Sequence, residues 1–194
     1  MTLDFYQQNA EAFFNSTVNV DMTSLYEPFT AGLLPQGRVL DAGCGSGRDC
    51  RAFKERGFEV EAFDASAEMA ALATSYSGVS VRQMAFSELN ETARYDGIWC
   101  CASLLHLPRH ALPDALRRLA AALRPGGVWY LSFKYGSGER TVAGRHFTDL
   151  DEEGLAGLVM QMPGIVIQSV WQTQDRRPGR DEVWLNGLLQ KVPA

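Results

Sequence analysis

The stretch "VLDAGCGSGRD", Val39 to Asp49, places three glycines and a cysteine in the turn that follows a short apolar run. Glycine in a regular element costs roughly 0.5–1 kcal/mol relative to alanine, so three this close together call for a reason. A tight turn needing positive φ accounts for one or two of them. Before the turn, Arg38-Val39-Leu40-Asp41 has the pattern of a buried strand, and after it Arg48 to Arg56 reads as a helix closed by Gly57. Glycines between a strand and a helix let a ligand approach the main chain, with the first N–H groups of the helix facing it. The turn is therefore a candidate cofactor cradle.

Strands and helices alternate outward from it. Phe58–Asp64 reads as a second strand, with Ser66 capping the helix that follows, and Val79–Met84 as a third. Asp96–Ala102 is a fourth, followed by a helix from His110 to Leu123 and, after Pro125-Gly126-Gly127, a fifth strand, Val128–Phe133. Thr148-Asp149-Leu150-Asp151 resembles a capping box opening a helix through Leu158, and Ile165–Trp171 with Val183–Leu189 reads as a closing hairpin. This alternation predicts a single α/β domain, a Rossmann-like doubly wound sheet with one antiparallel strand. Residues 1–35 form its N-terminal helical cap, 36–134 the cofactor-binding core and 135–194 the acceptor-side loop, helix and hairpin.

Composition narrows the class. The net charge of −5 lacks the basic stripe of a nucleic-acid binder. Cys44, Cys50, Cys100 and Cys101 have neither metal-ligand nor redox-pair spacing and read as small core residues of a reducing compartment. No His/Asp/Glu cluster has metal-ligand spacing. The N-terminus has no basic-then-apolar signal, and no apolar run approaches the ~18 residues of a membrane span, so the expectation is a cytoplasmic protein without membrane partner. Oligomeric state is left open.

In an open α/β sheet ligands bind beyond the carboxyl ends of the strands. Strand two ends in Asp64, about twenty residues past the turn, where an acidic side chain can accept hydrogen bonds from ribose hydroxyls. Gly43-Cys44-Gly45-Ser46-Gly47 is GxGxG rather than the GxGxxG of dinucleotide sites and lacks their helix-packing glycine.

With "FDAS" after strand two, "YDGIWC" in strand four and "LRPGG" before strand five, the chain resembles the class I S-adenosylmethionine-dependent methyltransferases over roughly residues 36–134. The resemblance implies seven strands in the order 3-2-1-4-5-7-6, with strand seven antiparallel. It implies that Asp41, Gly43, Cys44, Gly45, Gly47 and Arg48 surround the methionine part of the cofactor and that Asp64 holds the ribose. Ala65, Met69, Ala85 and Phe86 would flank the adenine, with Ala102 and Leu105 completing the lining. Many relatives carry an acidic residue after strand three where this chain has Ala85-Phe86-Ser87-Glu88. The "GSGR" turn is similar to that of small bacterial members, including the tellurite-resistance type, and "FYQQNAEAFFNST" resembles their N-terminal helix, which would put Tyr6 near the methyl group.

Methyl transfer mainly requires alignment and exclusion of water, so a base is optional. His106, just past strand four, is the candidate base. Lys134, Arg140, Arg145 and His146 in one glycine-interrupted loop, with Arg176, Arg177 and Arg180 in the hairpin turn, point to a small anionic acceptor, bound chiefly by Arg145 and His146. A protein or peptide methyltransferase and a non-catalytic S-adenosylmethionine-binding protein are the alternatives.

Overall fold

The computed structural model describes residues 2–193. Three short helices come first, α1 (Thr2–Gln8), α2 (Ala10–Thr17) and α3 (Thr23–Thr30). Then come β1 (Arg38–Ala42), α4 (Arg48–Glu55), β2 (Glu59–Asp64), α5 (Ala67–Ser77), β3 (Val81–Gln83) and β4 (Tyr95–Cys100). The second half holds α6 (Leu112–Ala122), β5 (Leu123–Lys134), β6 (Gly138–Val142), β7 (Arg145–Asp149), α7 (Glu152–Val159), β8 (Ile165–Gln174) and β9 (Val183–Lys191).

Seven strands form one sheet in the order β3-β2-β1-β4-β5-β9-β8, with β9 antiparallel to both neighbours. This corrects the expected 3-2-1-4-5-7-6 in its last two labels, because a two-stranded hairpin, β6–β7, is inserted before them. Ala143 and Gly144 both take positive φ, 49° and 77°, at its tip, the conformation that two-residue hairpin turns require. Every residue of β6 is exposed, so it carries no apolar alternation that would mark it as a strand. Two further corrections follow. Thr148 and Asp149 belong to β7, and α7 is capped by Asp151, whose carboxylate accepts from the Gly154 N–H at 2.8 Å. The N-terminal helix is split at Asn9 into α1 and α2.

Both sheet faces are covered, as a mainly parallel sheet demands. Successive residues of β4 and β5 point to opposite sides: Ile98, Cys100, Trp129, Leu131 and Phe133 pack with Leu112, Leu116 and Leu119 of α6. Trp99 and Tyr130 face the other way, stacked at 3.9 Å, with Trp99 ringed by Tyr26, Phe29 and Phe53 from α3 and α4. Each such side chain buried contributes roughly 1.5–3 kcal/mol, which fixes the strand ends that carry the site. Among the described residues no helix is long and apolar enough to cross a membrane.

Candidate functional site

A cavity of about 370 Å³ opens over the carboxyl ends of β1, β2 and β4, bordered by α1 and α2 on one side and the β8–β9 turn on another. Its floor is the glycine turn, where the Gly43 and Cys44 N–H groups donate to the Phe63 carbonyl at 2.9 and 3.0 Å. Gly43 has φ +76°, and a Cβ there would sit 2.6 Å from Ser103 Cβ. A Cβ on Gly45 (φ +52°) would come within 3.4 Å of Phe13 Cε1 and close the gap between loop and α2. Gly47 does not line the cavity. It caps α4 at φ +75°, where a Cβ would lie 2.8 Å from Ala73 Cα, so it lets α4 pack against α5. The turn thus has its helix-packing glycine after all, two residues after Gly45 rather than three.

Three carboxylates surround this turn and do different things. Asp64 lines the cavity and accepts from the Gly45 N–H through Oδ2 and the Ser66 N–H through Oδ1, both at 2.9 Å. A carboxylate has about four acceptor positions, so these bonds leave room for a ligand's hydroxyl. Burial raises its pKa, opposed by those N–H groups. Asp41, expected in the cofactor set, is only 2% exposed and lies beneath the loop outside the cavity lining, where the Cys50 thiol donates to Oδ2 at 3.1 Å. Burial and the negative charge of Asp49 push its pKa well up. Asp49 was not singled out in the sequence, where it falls simply within the helix Arg48 to Arg56. It is buried and accepts from Arg48 Nε at 2.6 Å, Arg48 Nη2 at 3.0 Å, the Tyr26 hydroxyl at 2.5 Å and Trp99 Nε1 at 2.8 Å. Burial alone would raise its pKa, but these donors, Arg48 above all, bring it below the ordinary value.

Of the other expected cofactor residues, Cys44, Arg48, Ala65, Met69, Ala85, Phe86, Ala102 and Leu105 all line the cavity. Ser66 caps α5 by accepting from the Met69 N–H, which sets Met69 at the wall, and Phe86 meets Phe63 edge-on at 5.2 Å. Ala102 takes a positive φ of 52°, held by its N–H bond to Ser132 Oγ at 2.9 Å. Such strain in a non-glycine residue costs roughly 1–2 kcal/mol and tends to sit at functional sites. The Ser103 hydroxyl, also on the wall, is buried without a hydrogen-bond partner.

Acceptor-side residues converge less completely than expected. Tyr6, His106 and Arg145 line the cavity and His146 does not. His106 Nδ1 lies 2.8 Å from the His146 carbonyl, and a carbonyl only accepts, so Nδ1 carries the proton. Burial and the nearby Arg145, His146 and Lys134 push the His106 pKa down to about 4, so the ring is neutral at pH 7 and Nε2 is bare. Nε2 accepts from the Tyr6 hydroxyl at 2.8 Å. His146 contributes its main chain, while its ring meets Thr148 Oγ1 at 3.1 Å and Glu139 Oε1 at 3.2 Å.

The expected positive cluster is neutralised in part: Arg145, Arg176 and Arg180 line the cavity and make no ion pair among the described residues. Lys134 pairs with Glu182, Arg140 with Asp149 at 2.6 Å, and Arg177 with Asp175 at 2.5 Å, while Arg176 Nη2 donates to Ser24 Oγ at 2.5 Å. Among the described residues Arg145 makes no ion pair; its guanidinium lies 4.5 Å over the Phe5 ring and 5.3 Å over Phe147, and its buried Nε has no partner.

Comparison with known proteins agrees with this geometry. Residues 39–127 match the family model described as a methyltransferase domain. A malonyl-[acyl-carrier protein] O-methyltransferase of Enterobacter lignolyticus is 39% identical over 93 residues, 47% of this chain and 36% of that protein. A ubiquinone biosynthesis O-methyltransferase of Xanthomonas campestris pv. campestris is 34% identical over 107 residues, 51% of this chain and 44% of its own. The matches thus span less than half the length of these curated relatives. The solved structure of a 1,6-didemethyltoxoflavin-N1-methyltransferase from Burkholderia thailandensis, with 1,6-didemethyltoxoflavin and S-adenosylhomocysteine bound, superposes with a TM-score of 0.78 at 28% identity. That superposition covers 98% of this chain and 85% of the other. The stretch 39–127, which matches the methyltransferase domain model, holds the glycine turn, Asp64 and His106.

Proposed function

We propose that this protein is an S-adenosylmethionine-dependent methyltransferase whose acceptor is a small, anionic metabolite or oxyanion. One observation carries the reading: a single cavity joins the glycine and Asp64 cradle to His106 and Arg145. The methyltransferase domain match and the cofactor product bound in the Burkholderia neighbour support the cofactor. In this reading Asp64 accepts from the ribose hydroxyls, and Ala65, Met69, Ala85 and Phe86 wall the adenine. Gly43, Cys44, Gly45 and Arg48 hold the methionine part, with Ala102 and Leu105 beside it. Asp41 and Gly47 act from outside the lining, holding the loop and helix that shape it.

When bound, the cofactor supplies an activated methyl carbon on a sulfonium. The chain's own part is to align the acceptor, exclude water with α1 and α2, and receive a proton at His106 Nε2. Arg145, half-buried, supports the anionic acceptor, because its buried and unused Nε donor gains about 1.5–3 kcal/mol from a charged hydrogen bond. An inorganic oxyanion of the tellurite type would use the same group. The test is a methyl-transfer screen of carboxylated, phosphorylated and inorganic oxyanion acceptors, repeated on Arg145→Glu. Loss of turnover or a raised acceptor KM with cofactor affinity intact is expected; unchanged kinetics overturns the anionic acceptor.

A further inference from the structure

The charge that lines the cavity does not balance. Its carboxylates are Asp49, Asp64 and Asp175, and two of these are matched, Asp49 by Arg48 and Asp175 by Arg177. Lys134 is matched by Glu182, which lies outside the lining. Arg145, Arg176 and Arg180 have no ion pair among the described residues, which sets three cations against the single carboxylate of Asp64. The chain as a whole carries −5, so this excess runs against its average sign. A bound S-adenosylmethionine would add another positive charge at its sulfonium.

The excess sits in two places. Arg145 belongs to β7 and rests on Phe5 of α1. Arg176 and Arg180 belong to the β8–β9 turn, where the neighbouring charges are spent on one another. Asp175 takes Arg177 and, at 3.2 Å, the Trp184 N–H; Glu182 takes Lys134 and, at 3.8 Å, Arg177. Asp181, the remaining acid of the turn, does not line the cavity. Arg176 donates to a neutral oxygen, Ser24 Oγ on α3, at 2.5 Å, and Asp21 feels its charge only from beyond ion-pair distance. Its charge is thus steadied at the mouth without being neutralised. The Arg180 side chain has no partner among the described residues.

Resting on the anionic-acceptor reading above, we propose that Arg176 and Arg180 form a second oxyanion subsite, and that the acceptor carries two separated anionic groups, one at Arg145 and one at the β8–β9 turn. A single anion would leave most of the positive excess standing in a site from which water is displaced, where uncompensated charge is costly. Two ends also do what one cannot: a molecule held at one charged group still pivots, whereas one held at both presents a fixed atom to the methyl carbon. Arg145, half-buried, is the anchor, and the exposed turn arginines set the selection for the second charge.

The test is calorimetric binding to protein saturated with S-adenosylhomocysteine, using the linear dicarboxylates from succinate to suberate, each against its monoamide. The series scans the span between the subsites, and each pair differs by one charge. At the matching length the dicarboxylate is expected to bind about fivefold more tightly than its monoamide, the scale of a carboxylate meeting exposed cations. Arg176→Gln combined with Arg180→Gln, checked for folding by its thermal midpoint, should erase that preference and leave S-adenosylhomocysteine affinity unmoved. Arg180→Gln alone, which breaks no contact, should lower it about twofold. Arg145→Met should weaken dicarboxylate and monoamide alike. A preference of no more than about twofold at every length, which two equivalent ends give by statistics alone, overturns the inference. So does binding of none of the series, or a preference that survives the double variant. Weaker S-adenosylhomocysteine binding in the double variant overturns it as well, by giving these arginines to the cofactor's own carboxylate. Failure of the wild type to bind S-adenosylhomocysteine overturns the methyltransferase reading instead.

Discussion

Two charged corners of one cavity are finished to different degrees. At the Asp49 corner a buried carboxylate is met by four donors from Arg48, Tyr26 and Trp99. At the Arg145 corner a guanidinium rests on two phenylalanine rings, makes no ion pair among the described residues and leaves a buried donor unused. A closed network rigidifies its surroundings, whereas an open one sets aside interaction energy for something that binds. The first corner holds β4, α3 and α4 together; the second waits at the acceptor end.

The largest effect should come from breaking the closed corner. Asp49→Ala leaves Arg48 buried beside an empty site and is expected to cost about 3–5 kcal/mol in urea denaturation. Arg145→Met removes no partner and should stay within about 1 kcal/mol of wild type. Equal losses in the two variants would break the comparison.

The same contrast divides the glycine turn. Gly47→Ala combines a left-handed φ with a Cβ 2.8 Å from Ala73 Cα and should cost about 2–4 kcal/mol. Gly45→Ala meets only the Phe13 ring edge and should cost about 1–2 kcal/mol of stability, with its larger effect on cofactor affinity. Thermal midpoints and cofactor titrations of the two variants separate these roles.

A smaller effect lies in pH. The His106 pKa falls from an unfolded value near 6.5 to about 4 in the folded protein. Folding therefore favours the neutral ring, its contribution is complete above pH 6.5, and it is lost as pH falls through 4. The expected loss is about 3 kcal/mol, and His106→Gln should remove that part of the acid dependence of the urea midpoint. The smallest change is expected at His146→Ala: the ring's partly exposed contact with Glu139 is worth less than about 1 kcal/mol, and its main-chain carbonyl stays in place for His106.

What the sequence disclosed follows the same division. The strand before the glycines, Asp64 at the end of β2, the Ser66 cap and the closing β8–β9 hairpin are local patterns, and local patterns can be read in a chain. Asp49 has no local pattern that marks it as buried; its acceptor role is set by Trp99, whose N–H needs a partner and which lies 50 residues further along the chain. The β6–β7 hairpin read as a loop because its glycines interrupt it and its outer strand has no buried face. The Tyr6–His106 contact joins residues 100 apart, and the pairing of Lys134 with Glu182 and of Arg140 with Asp149 depends on how the strands return. Charge counted along the chain overstated the positive site, because Lys134, Arg140 and Arg177 each meet a carboxylate, whether 48 residues away as for Glu182 or two away as for Asp175.

The most direct measurement is calorimetric titration with S-adenosylmethionine and S-adenosylhomocysteine on the wild type and on Asp64→Ala. Micromolar binding, about −8 kcal/mol, that is lost in the variant is the predicted result. Absence of binding to either compound, or binding untouched by the loss of Asp64, would contradict the cofactor cradle on which the account rests.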